Sequence, residues 1–400
     1  MTSTDPVNLL AQLVAIDSSN PDPGEQALAE FVDGVAREWG FESRIVETAP
    51  GRCNLLVRID AGRGSGSLGL CAHLDTKPVG DALAAWDTPP LQLVVEGDLG
   101  YGLGTSDMKG AIAAMLMAAK EWSDVAESGR LELILTADEE AGSELGAKEL
   151  ASRRLVDVEA ILVGEPSGID EPWEAIFVVS RGICCFDVVI EGTQGHSAIS
   201  GRLPTSATVA AARAVLALDG LELRHPVETQ GDLGPTMNAG VRIEGGVFYG
   251  VHPGMATVAS DIRTVPGMTR SVLKDDLLQV LHEALPSDVR WTIRFREDQL
   301  GWIPAVSIDP GHRLVRSARQ ATADVLGRDL PLATYPGGSD AGPFIDRLGI
   351  PTLTSLGPGW LSKAHGPNEC VGLSQVRDAA EIYRRIAAAY LAPHNEEPPA

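Results

Sequence analysis

Three adjacent carboxylates follow an apolar segment without a break in the stretch ILTADEEAGSE. Residues 131–136, LELILT, have the composition of a buried β-strand, and Asp138, Glu139 and Glu140 follow them after a single alanine. Like charges at such short spacing repel one another, and the repulsion grows where water is excluded. Acidic runs are usually solvated loops. The alternative is that something positively charged lies at this strand end, and the rest of the chain must decide between the two interpretations.

Strand-like and helix-like segments alternate around this run, which is typical of a layered α/β domain. The predicted strands cover 53–59, 67–73, 91–97, 131–136 and 159–164. The predicted helices cover about 6–17, 24–40, 108–122 and 146–154. The same style resumes after about 300, with helices at 310–326 and 374–391 and an apolar piece at 351–356.

The pattern changes near residue 175, where the chain becomes strand-rich. Residues 174–192, EAIFVVSRGICCFDVVIEG, predict a strand pair or one strand with a bulge. Further strands are predicted at 236–246, 256–265 and 289–298, with helices at 205–221 and 269–285. We therefore predict one α/β domain made of 1–175 and 298–400, interrupted by an inserted α+β domain at 176–297.

Composition excludes several classes of partner. The net charge of −23 argues against binding to nucleic acid or to an anionic membrane surface. No apolar stretch is long enough to span a bilayer, and the N-terminus lacks the features of a signal peptide, so a cytoplasmic protein is expected. The cysteines form no C-x-x-C pair and no disulfide framework, so reduced, mostly buried thiols are predicted at Cys53, Cys71, Cys184, Cys185 and Cys370.

Other candidate ligand residues follow predicted strands or lie in loops. His73 and Asp75 are two residues apart, so on a strand they share a face, and a carboxylate beside an imidazole fixes its tautomer. Asp107 ends the glycine-rich run GYGLGTSD, where it is either a ligand or the N-cap of the helix at 108–122. Glu165 and His365 could each be an ordinary loop residue, as His73 could be a buried core histidine.

The combination of these residues is more informative than any one of them. Strand ends of an α/β sheet meet at one edge, where ligands bind. Gathered and partly buried carboxylates would each cost several kcal/mol without a counter-charge. Two Zn²⁺ ions, or two Co²⁺ or Mn²⁺ ions, bring four positive charges, which balance the negative charges of three carboxylates and one hydroxide. A water molecule shared between two such metals becomes a nucleophile near neutral pH. The acidic run is thus interpreted as part of a two-metal site.

The motifs AHLDT, GLGTSDMKG, TADEEAGS, GEPS and AHGPNE occur in an order that resembles the M20 metallopeptidase family. The resemblance covers nearly the whole chain and is strongest to the acetylornithine deacetylase branch. It implies an α/β zinc-hydrolase catalytic domain with a mixed central sheet flanked by helices, and it makes the insert a lid and dimerisation domain. A homodimer through that lid is therefore expected.

The resemblance also implies a role for each motif residue. Asp75 would orient His73, Glu139 would be the general base, and the Asp107–Met108 peptide would be cis, as in relatives. The implied metal ligands are His73 and Glu165 on one ion, Glu140 and His365 on the other, and Asp107 between them. The local sequence, not the resemblance, makes Asp138 only a capping or solvent-facing residue.

In the insert, the resemblance makes His196 a residue that reaches the active site, often from the neighbouring subunit, to help stabilise the oxyanion. Asn238 and Arg263 would bind substrate, and the PGGSDA loop with Gly338 and Ser339 would meet its carboxylate. Two alternatives stay open, because Asn238 could be a turn residue and Arg263 could pair with Asp261.

The predicted function is hydrolysis of the amide bond of an N-acylated amino acid by metal-activated water. A dipeptidase or carboxypeptidase acting on a short peptide is the alternative. Glu165 favours the deacylase, because in the family Glu at this position is commoner in deacylases and Asp in peptidases. A non-catalytic binding protein on the same fold would be expected to lose Glu139 or a ligand, and this chain keeps them all.

Overall fold

The computed structural model describes residues 5–62, 66–226, 233–297 and 301–392. The chain forms two compact units, each with its own hydrophobic core. Unit 1 comprises the described residues up to Ser180, Ser307–Tyr335 and those from Ser339 onward, and unit 2 comprises Arg181–Val306 and Pro336–Gly338. Among the described residues, no helix has the length and apolar character needed to cross a membrane.

The α-helices are α1 (Pro6–Val14), α2 (Gln26–Glu38), α3 (Gly110–Ser123), α4 (Ala147–Ser152), α5 (Ala207–Asp219), α6 (Arg270–Ala284), α7 (Arg313–Leu326), α8 (Ala341–Pro343) and α9 (Leu373–Leu391). The strands are β1 (Glu42–Ala49), β2 (Arg52–Gly62), β3 (Ser67–His73), β4 (Val94–Glu96), β5 (Leu99–Tyr101), β6 (Ser128–Thr136), β7 (Ala160–Val163), β8 (Pro166–Gly168), β9 (Ile176–Ser180), β10 (Gly182–Glu191), β11 (Gly195–His196), β12 (Thr236–Gly245), β13 (Val251–His252), β14 (Met255–Thr264), β15 (Arg290–Phe295), β16 (Val306–Ser307), β17 (Leu332–Tyr335), β18 (Thr352–Leu353), β19 (Gly357–Trp360) and β20 (Cys370–Gly372).

A mixed six-stranded sheet forms the centre of unit 1, in the order β1-β2-β6-β3-β7-β18. Strands β6, β3, β7 and β18 run parallel to one another. Strand β2 is antiparallel to both of its neighbours, β1 and β6. Leu68, Leu70 and Ala72 alternate along β3 and join one core cluster with helices α1, α2, α3 and α9. Because parallel strands end at the same edge, the residues that follow β3, β6 and β7 lie close together.

Helix α3 packs closely because its side chains are small. Ala111, Ala113, Ala114, Ala118 and Ala119 are fully buried in the same cluster. A helix that is apolar all round is a buried one. Its burial fixes the position of the segment before it, which carries Asp107.

Unit 2 is an antiparallel sheet covered by helices on one face. Its order is β12-β14-β10-β15, and its core combines alternate residues of β10 and β14 with helices α5 and α6. Cys184 points into this core, whereas its neighbour Cys185 is only half-buried, as expected for successive strand residues. The five cysteines are free thiols, as predicted.

Three predicted elements differ from the observed ones. The run 174–192 is neither a hairpin nor one bulged strand: β9 pairs with β17 in unit 1, and β10 belongs to the sheet of unit 2, with the break at Arg181. The strand predicted at 91–97 is reduced to β4, which turns at Gly97 into β5. The first helix ends at Val14 rather than near residue 17.

Candidate metal centre

Strand register in unit 1 brings the predicted ligands to one edge of the sheet. His73 ends β3 and pairs with Thr136, the last residue of β6, so Glu139 and Glu140 follow next to it. Cys71 of β3 pairs with Val163 of β7, so Glu165, two residues further on, lies level with His73. The sheet therefore supplies one histidine and three carboxylates from three neighbouring strand ends.

The side-chain atoms converge in two overlapping groups. One ligand atom each of His73, Glu139 and Glu165 lie within 4.8 Å of one another, and the same holds for His73, Asp107 and Glu140. His365 closes the second group, since its Nε2 is 2.8 Å from Glu140 Oε1 and 3.2 Å from Asp107 Oδ2. The five predicted ligands and Glu139 are thus brought together.

Asp107 lies between the two histidines. Its Oδ1 is 2.8 Å from His73 Nε2, while Oδ2 faces His365. The alternative role as a helix cap does not apply, because α3 begins at Gly110 and its cap position is Lys109. The Asp107–Met108 peptide bond is cis, as the resemblance implied.

Asp75 holds the acid loop, by which we mean residues 138–140. Its carboxylate accepts the backbone N–H of Glu139 at 3.2 Å and that of Glu140 at 3.1 Å. His73 Nδ1 lies 2.9 Å from the backbone carbonyl of Asp75 and 3.6 Å from its carboxylate. Asp75 therefore touches both His73 and the acid loop.

Asp138 is not the solvent-facing residue that the sequence suggested. Only 2% of its surface is exposed, and its carboxylate accepts hydrogen bonds from Arg52, Asn20 and the backbone N–H of Leu145. The interpretation of the acidic run as a solvated loop is therefore wrong for this residue. Its charge is directed into the protein interior rather than toward water.

The electrostatics of the cluster reflect its excess of carboxylates. Burial, reinforced by repulsion from Asp107, raises the pKa of Glu165 to about 8, and burial together with Glu165 raises the pKa of Glu139 well above its usual range. Hydrogen bonds from His365 and His73 outweigh burial and hold the pKa of Asp107 below its usual range. Hydrogen bonds to Asp107 and Glu140 raise the pKa of His365 to about 10.

The donor set fits divalent metal ions. Imidazole nitrogen and carboxylate oxygen are the ligands that zinc accepts in catalytic sites, at about 2.0–2.2 Å, which places ligand atoms of one ion within a few Å of one another. A dication supplies the positive charge that the carboxylates lack, and it reverses the local pKa order. A bound dication would displace the protons that the raised pKa values of Glu165 and His365 favour.

Asn238 and Arg263 lie on the face of the four-stranded sheet that points away from helices α5 and α6. Asn238 is exposed in β12 and donates to Asp261 at 3.0 Å, so it is a strand residue rather than a turn residue. Asp261 is thereby engaged by Asn238, and among the described residues no ion pair joins it to Arg263. Arg263 is half-buried on β14, directly across from Thr236.

The other three predicted substrate-binding and lid positions, His196, Gly338 and Ser339, differ in exposure. His196 is exposed at the end of β11, and its Nδ1 accepts the backbone N–H of Ala198. Ser339 is buried in unit 1, where its hydroxyl donates to the carbonyl of Thr354 at 3.2 Å, while Gly338 belongs to unit 2. The hydroxyl of Ser339 is therefore already used within the protein.

Several residues that hold the ligands were not predicted from the sequence. Tyr335 donates to Glu165 Oε2 at 3.2 Å, and Lys77 Nζ lies 3.3 Å from Glu140 Oε2. Glu369, the last residue of the AHGPNE motif, is buried and accepts the backbone N–H groups of Gly104, Ser106 and Asp107 at 2.9, 2.9 and 3.0 Å. One signal in the sequence could have identified Glu369. It is a charged residue of the AHGPNE motif to which no role had been assigned.

The chain matches the family model "Peptidase family M20/M25/M40" over residues 69–389. It is 30% identical over 377 residues to acetylornithine deacetylase from Klebsiella pneumoniae, which covers 93% of this chain and 91% of that protein. The chain belongs to the M20 peptidase family. This confirms the predicted family and the predicted class of enzyme, a metal-dependent hydrolase of amide bonds.

Solved structures agree with this M20 fold. An M20 family metallo-carboxypeptidase from Sulfolobus solfataricus superimposes with a TM-score of 0.78 at 19% identity, over 96% of this chain and 99% of that one. A dinuclear metal-binding peptidase of the M20 family from Bacillus subtilis gives a TM-score of 0.70 at 15% identity, covering 96% of this chain and 97% of that one. The predicted α/β catalytic fold with a mixed sheet and an inserted α+β domain is confirmed.

Glu369→Gln should weaken metal retention in the M20 centre. An amide keeps one acceptor oxygen but turns a donor toward a backbone N–H, so the Asp107 segment loses part of its support. A buried N–H left without an acceptor costs about 1–3 kcal/mol. We expect faster loss of metal to a chelator, followed by elemental analysis.

Glu174→Gln is the matched control for this variant. Glu174 Oε1 likewise accepts three backbone N–H groups, those of Ile169, Asp170 and Glu171, in a loop that carries no candidate ligand. It should leave metal retention unchanged. Equal metal loss in both variants would contradict a specific role of Glu369.

Proposed function

We propose that this M20 enzyme removes the acyl group from an N-acylated amino acid by hydrolysis of its amide bond. The observation that carries the proposal is the convergence of His73, Asp107 and Glu140 with Glu139 and Glu165 at one sheet edge. The 30% identity to an acetylornithine deacetylase over nearly the whole chain supports the deacylase class. The acyl group is expected to be small, such as acetyl or succinyl.

The five ligand-type residues are proposed to hold two divalent ions, with zinc favoured and cobalt or manganese as alternatives. The dinuclear peptidase from Bacillus subtilis supports the number of ions through its shared fold. The ligands would be His73, Glu165, Glu140 and His365, with Asp107 between the two positions. When bound, the ions supply Lewis-acid activation of the attacking water and of the scissile carbonyl.

Glu139 is proposed as the general base. Its carboxylate oxygen lies within 4.8 Å of ligand atoms of His73 and Glu165, so one water molecule between them is within its reach. Glu139 takes a proton from the attacking water and passes it to the nitrogen of the leaving amine as the C–N bond breaks. Asp75 fixes the backbone of Glu139 and thereby the direction of its side chain.

The free α-carboxylate of the substrate is assigned to Arg263. A guanidinium fork matches a carboxylate with two parallel hydrogen bonds. Asp261, which shares its strand face, is engaged by Asn238, which supports an Arg263 that is available for a ligand. His196 is proposed to stabilise the oxyanion and Asn238 to contact substrate. Gly338 and Ser339 are proposed to belong to the carboxylate-binding loop.

A substrate panel tests the proposed function. We expect metal-dependent hydrolysis of acetylated or succinylated amino acids to exceed hydrolysis of dipeptides and C-terminal residues by at least about tenfold in kcat/KM, a discrimination of about 1.4 kcal/mol. The same panel, with each substrate also supplied as its amide, tests Arg263, because loss of the α-carboxylate should lower kcat/KM strongly. Preference for dipeptides would favour a peptidase, a class represented by the Sulfolobus relative of shared fold.

Substitutions of Glu139 and Glu140 should fail in different ways. Glu139→Ala should keep about two metal ions per chain and lose a factor of about 10²–10⁴ in kcat, the usual scale for a removed acid–base group. Glu140→Ala should lose metal first and recover part of its activity at high metal concentration, because ligand loss weakens binding. Elemental analysis and single-substrate kinetics measure both.

The two variants are controls for each other, since each removes one carboxylate from adjacent positions of the same loop. If Glu139→Ala were deficient in metal and Glu140→Ala were not, the two roles would be exchanged. Full metal content and full activity in both would contradict any role for the loop in catalysis.

A homodimer through unit 2 is the second part of the proposal. Strand β12 lies at the edge of its sheet, and exposed apolar side chains follow along and beyond it at Val241, Ile243, Val247, Phe248 and Tyr249. An exposed edge strand with apolar side chains is suited to pairing with a second copy. Phe248→Ser with Tyr249→Ser should shift sedimentation at micromolar protein from dimer to monomer, and a wild-type monomer would contradict the proposal.

A further inference from the structure

We propose that Arg52, together with Glu25, is a positioning device for the acid loop and sets where the Glu139 carboxylate stands relative to the metal ligands. This inference rests on the proposed role of Glu139. Neither Arg52 nor Glu25 belongs to the cluster of ligands, and both act on it through the backbone and side chain of Asp138.

Arg52 and Glu25 form a buried bidentate ion pair. Arg52 Nε donates to Glu25 Oε2 at 2.7 Å, and Nη2 donates to Oε1 at 2.6 Å. The side chains are 11% and 0% exposed. Gly24 allows this close packing, because at its φ of 80° an added Cβ would lie 2.8 Å from the carbonyl of Gly51 and 3.1 Å from Arg52 Cδ.

The same pair binds Asp138 from two directions. Arg52 Nη2 reaches Asp138 Oδ1 at 3.1 Å, and Glu25 Oε1 accepts the backbone N–H of Asp138 at 3.1 Å. Asp138 adopts a left-handed conformation with φ of 63°, which turns the chain at the end of β6. Aspartate reaches this region more readily than most residues, and here Arg52, Asn20 and Glu25 hold it there.

Asn20 joins this support to Asp75. Its Nδ2 donates to Asp138 Oδ1 at 3.2 Å and to Asp75 Oδ2 at 2.8 Å. Asp75 in turn accepts the N–H groups of Glu139 and Glu140. Every backbone N–H of the acid loop therefore donates a hydrogen bond to a buried carboxylate. Arg52 is the cation that bridges Glu25 and Asp138.

A general stabilising role does not account for this arrangement. Buried ion pairs are often no more stabilising than apolar side chains of the same volume, so their burial is weak evidence of a contribution to stability. Their advantage is that they fix the orientation of the groups they bind, because a guanidinium fork holds two oxygens in one plane. At the acid loop, direction is what catalysis needs, since a displacement of about 1 Å costs about 10²-fold in rate.

Arg52→Lys tests the inference, because it keeps the charge and removes the fork. We expect kcat per metal-loaded molecule to fall about 10- to 100-fold, with KM and metal content near those of the wild type. The matched control is Arg58→Lys on the same strand. Arg58 pairs with Asp60 at 2.7 Å, but both side chains are about half exposed, so kcat should stay within about twofold.

Hydrogen exchange gives a readout that does not depend on activity. Backbone amides of residues 138–140 should exchange about tenfold faster in Arg52→Lys than in the wild type or in Arg58→Lys, while the core amides of β3 and α3 should stay protected. If the wild type hydrolyses no N-acyl substrate, the proposed function fails, and exchange still decides whether Arg52 holds the loop.

Two results would overturn the inference. One is wild-type exchange at 138–140 in Arg52→Lys. The other is a fall in activity that equals the fall in the amount of folded, metal-loaded protein, because a purely structural ion pair would give that result. If Arg52→Lys does not fold, Glu25→Gln replaces it, because it keeps the side-chain shape and should lower kcat and increase exchange in the same direction.

Discussion

Negative charge gathered at the end of a sheet is the constraint on which the rest of unit 1 depends. Asp107, Glu139, Glu140 and Glu165 lie around His73, and burial raises the pKa of Glu165 to about 8. Such a cluster is stable only where cations, protons or metal ions compensate it. The parallel strands create the cluster, because β3, β6 and β7 all end at the same edge.

The protein uses carboxylates in two distinct ways at this edge. One set faces the ligand cluster. A second set, Glu25, Asp75 and Glu369, is buried and accepts backbone N–H groups from the segments that carry the first set. Hydrogen bonds to charged groups are stronger than those between neutral groups. Ligands on irregular segments thereby gain the rigidity that regular strands give to His73.

The two faces of the sheet of unit 2 differ in character: one packs against the helices and the other carries polar side chains. Residues of β14 alternate, so Val258 and Ile262 pack against helices while Asp261 and Arg263 point the other way. The helices leave the second face and the β12 edge open. Alternation along β14 thus supplies a core face and a polar face from successive residues of one strand.

Sequence alone determined the chemistry and the approximate elements of this protein. The motifs contain every proposed ligand, and periodicity placed most helices and strands within a few residues, because side-chain spacing reports which faces are buried. It did not report which strand pairs with which, so 174–192 read as continuous although β9 and β10 belong to different sheets.

Only the tertiary structure decided how the ligands are supported. Asp138 looked like part of a solvated acidic run, yet its partners Arg52 and Asn20 come from segments far away in the chain. Glu369 meets Gly104, Ser106 and Asp107 across more than half the sequence. Local pattern carries no information about such contacts, because a buried charge acquires its partners only when distant segments pack together and exclude water.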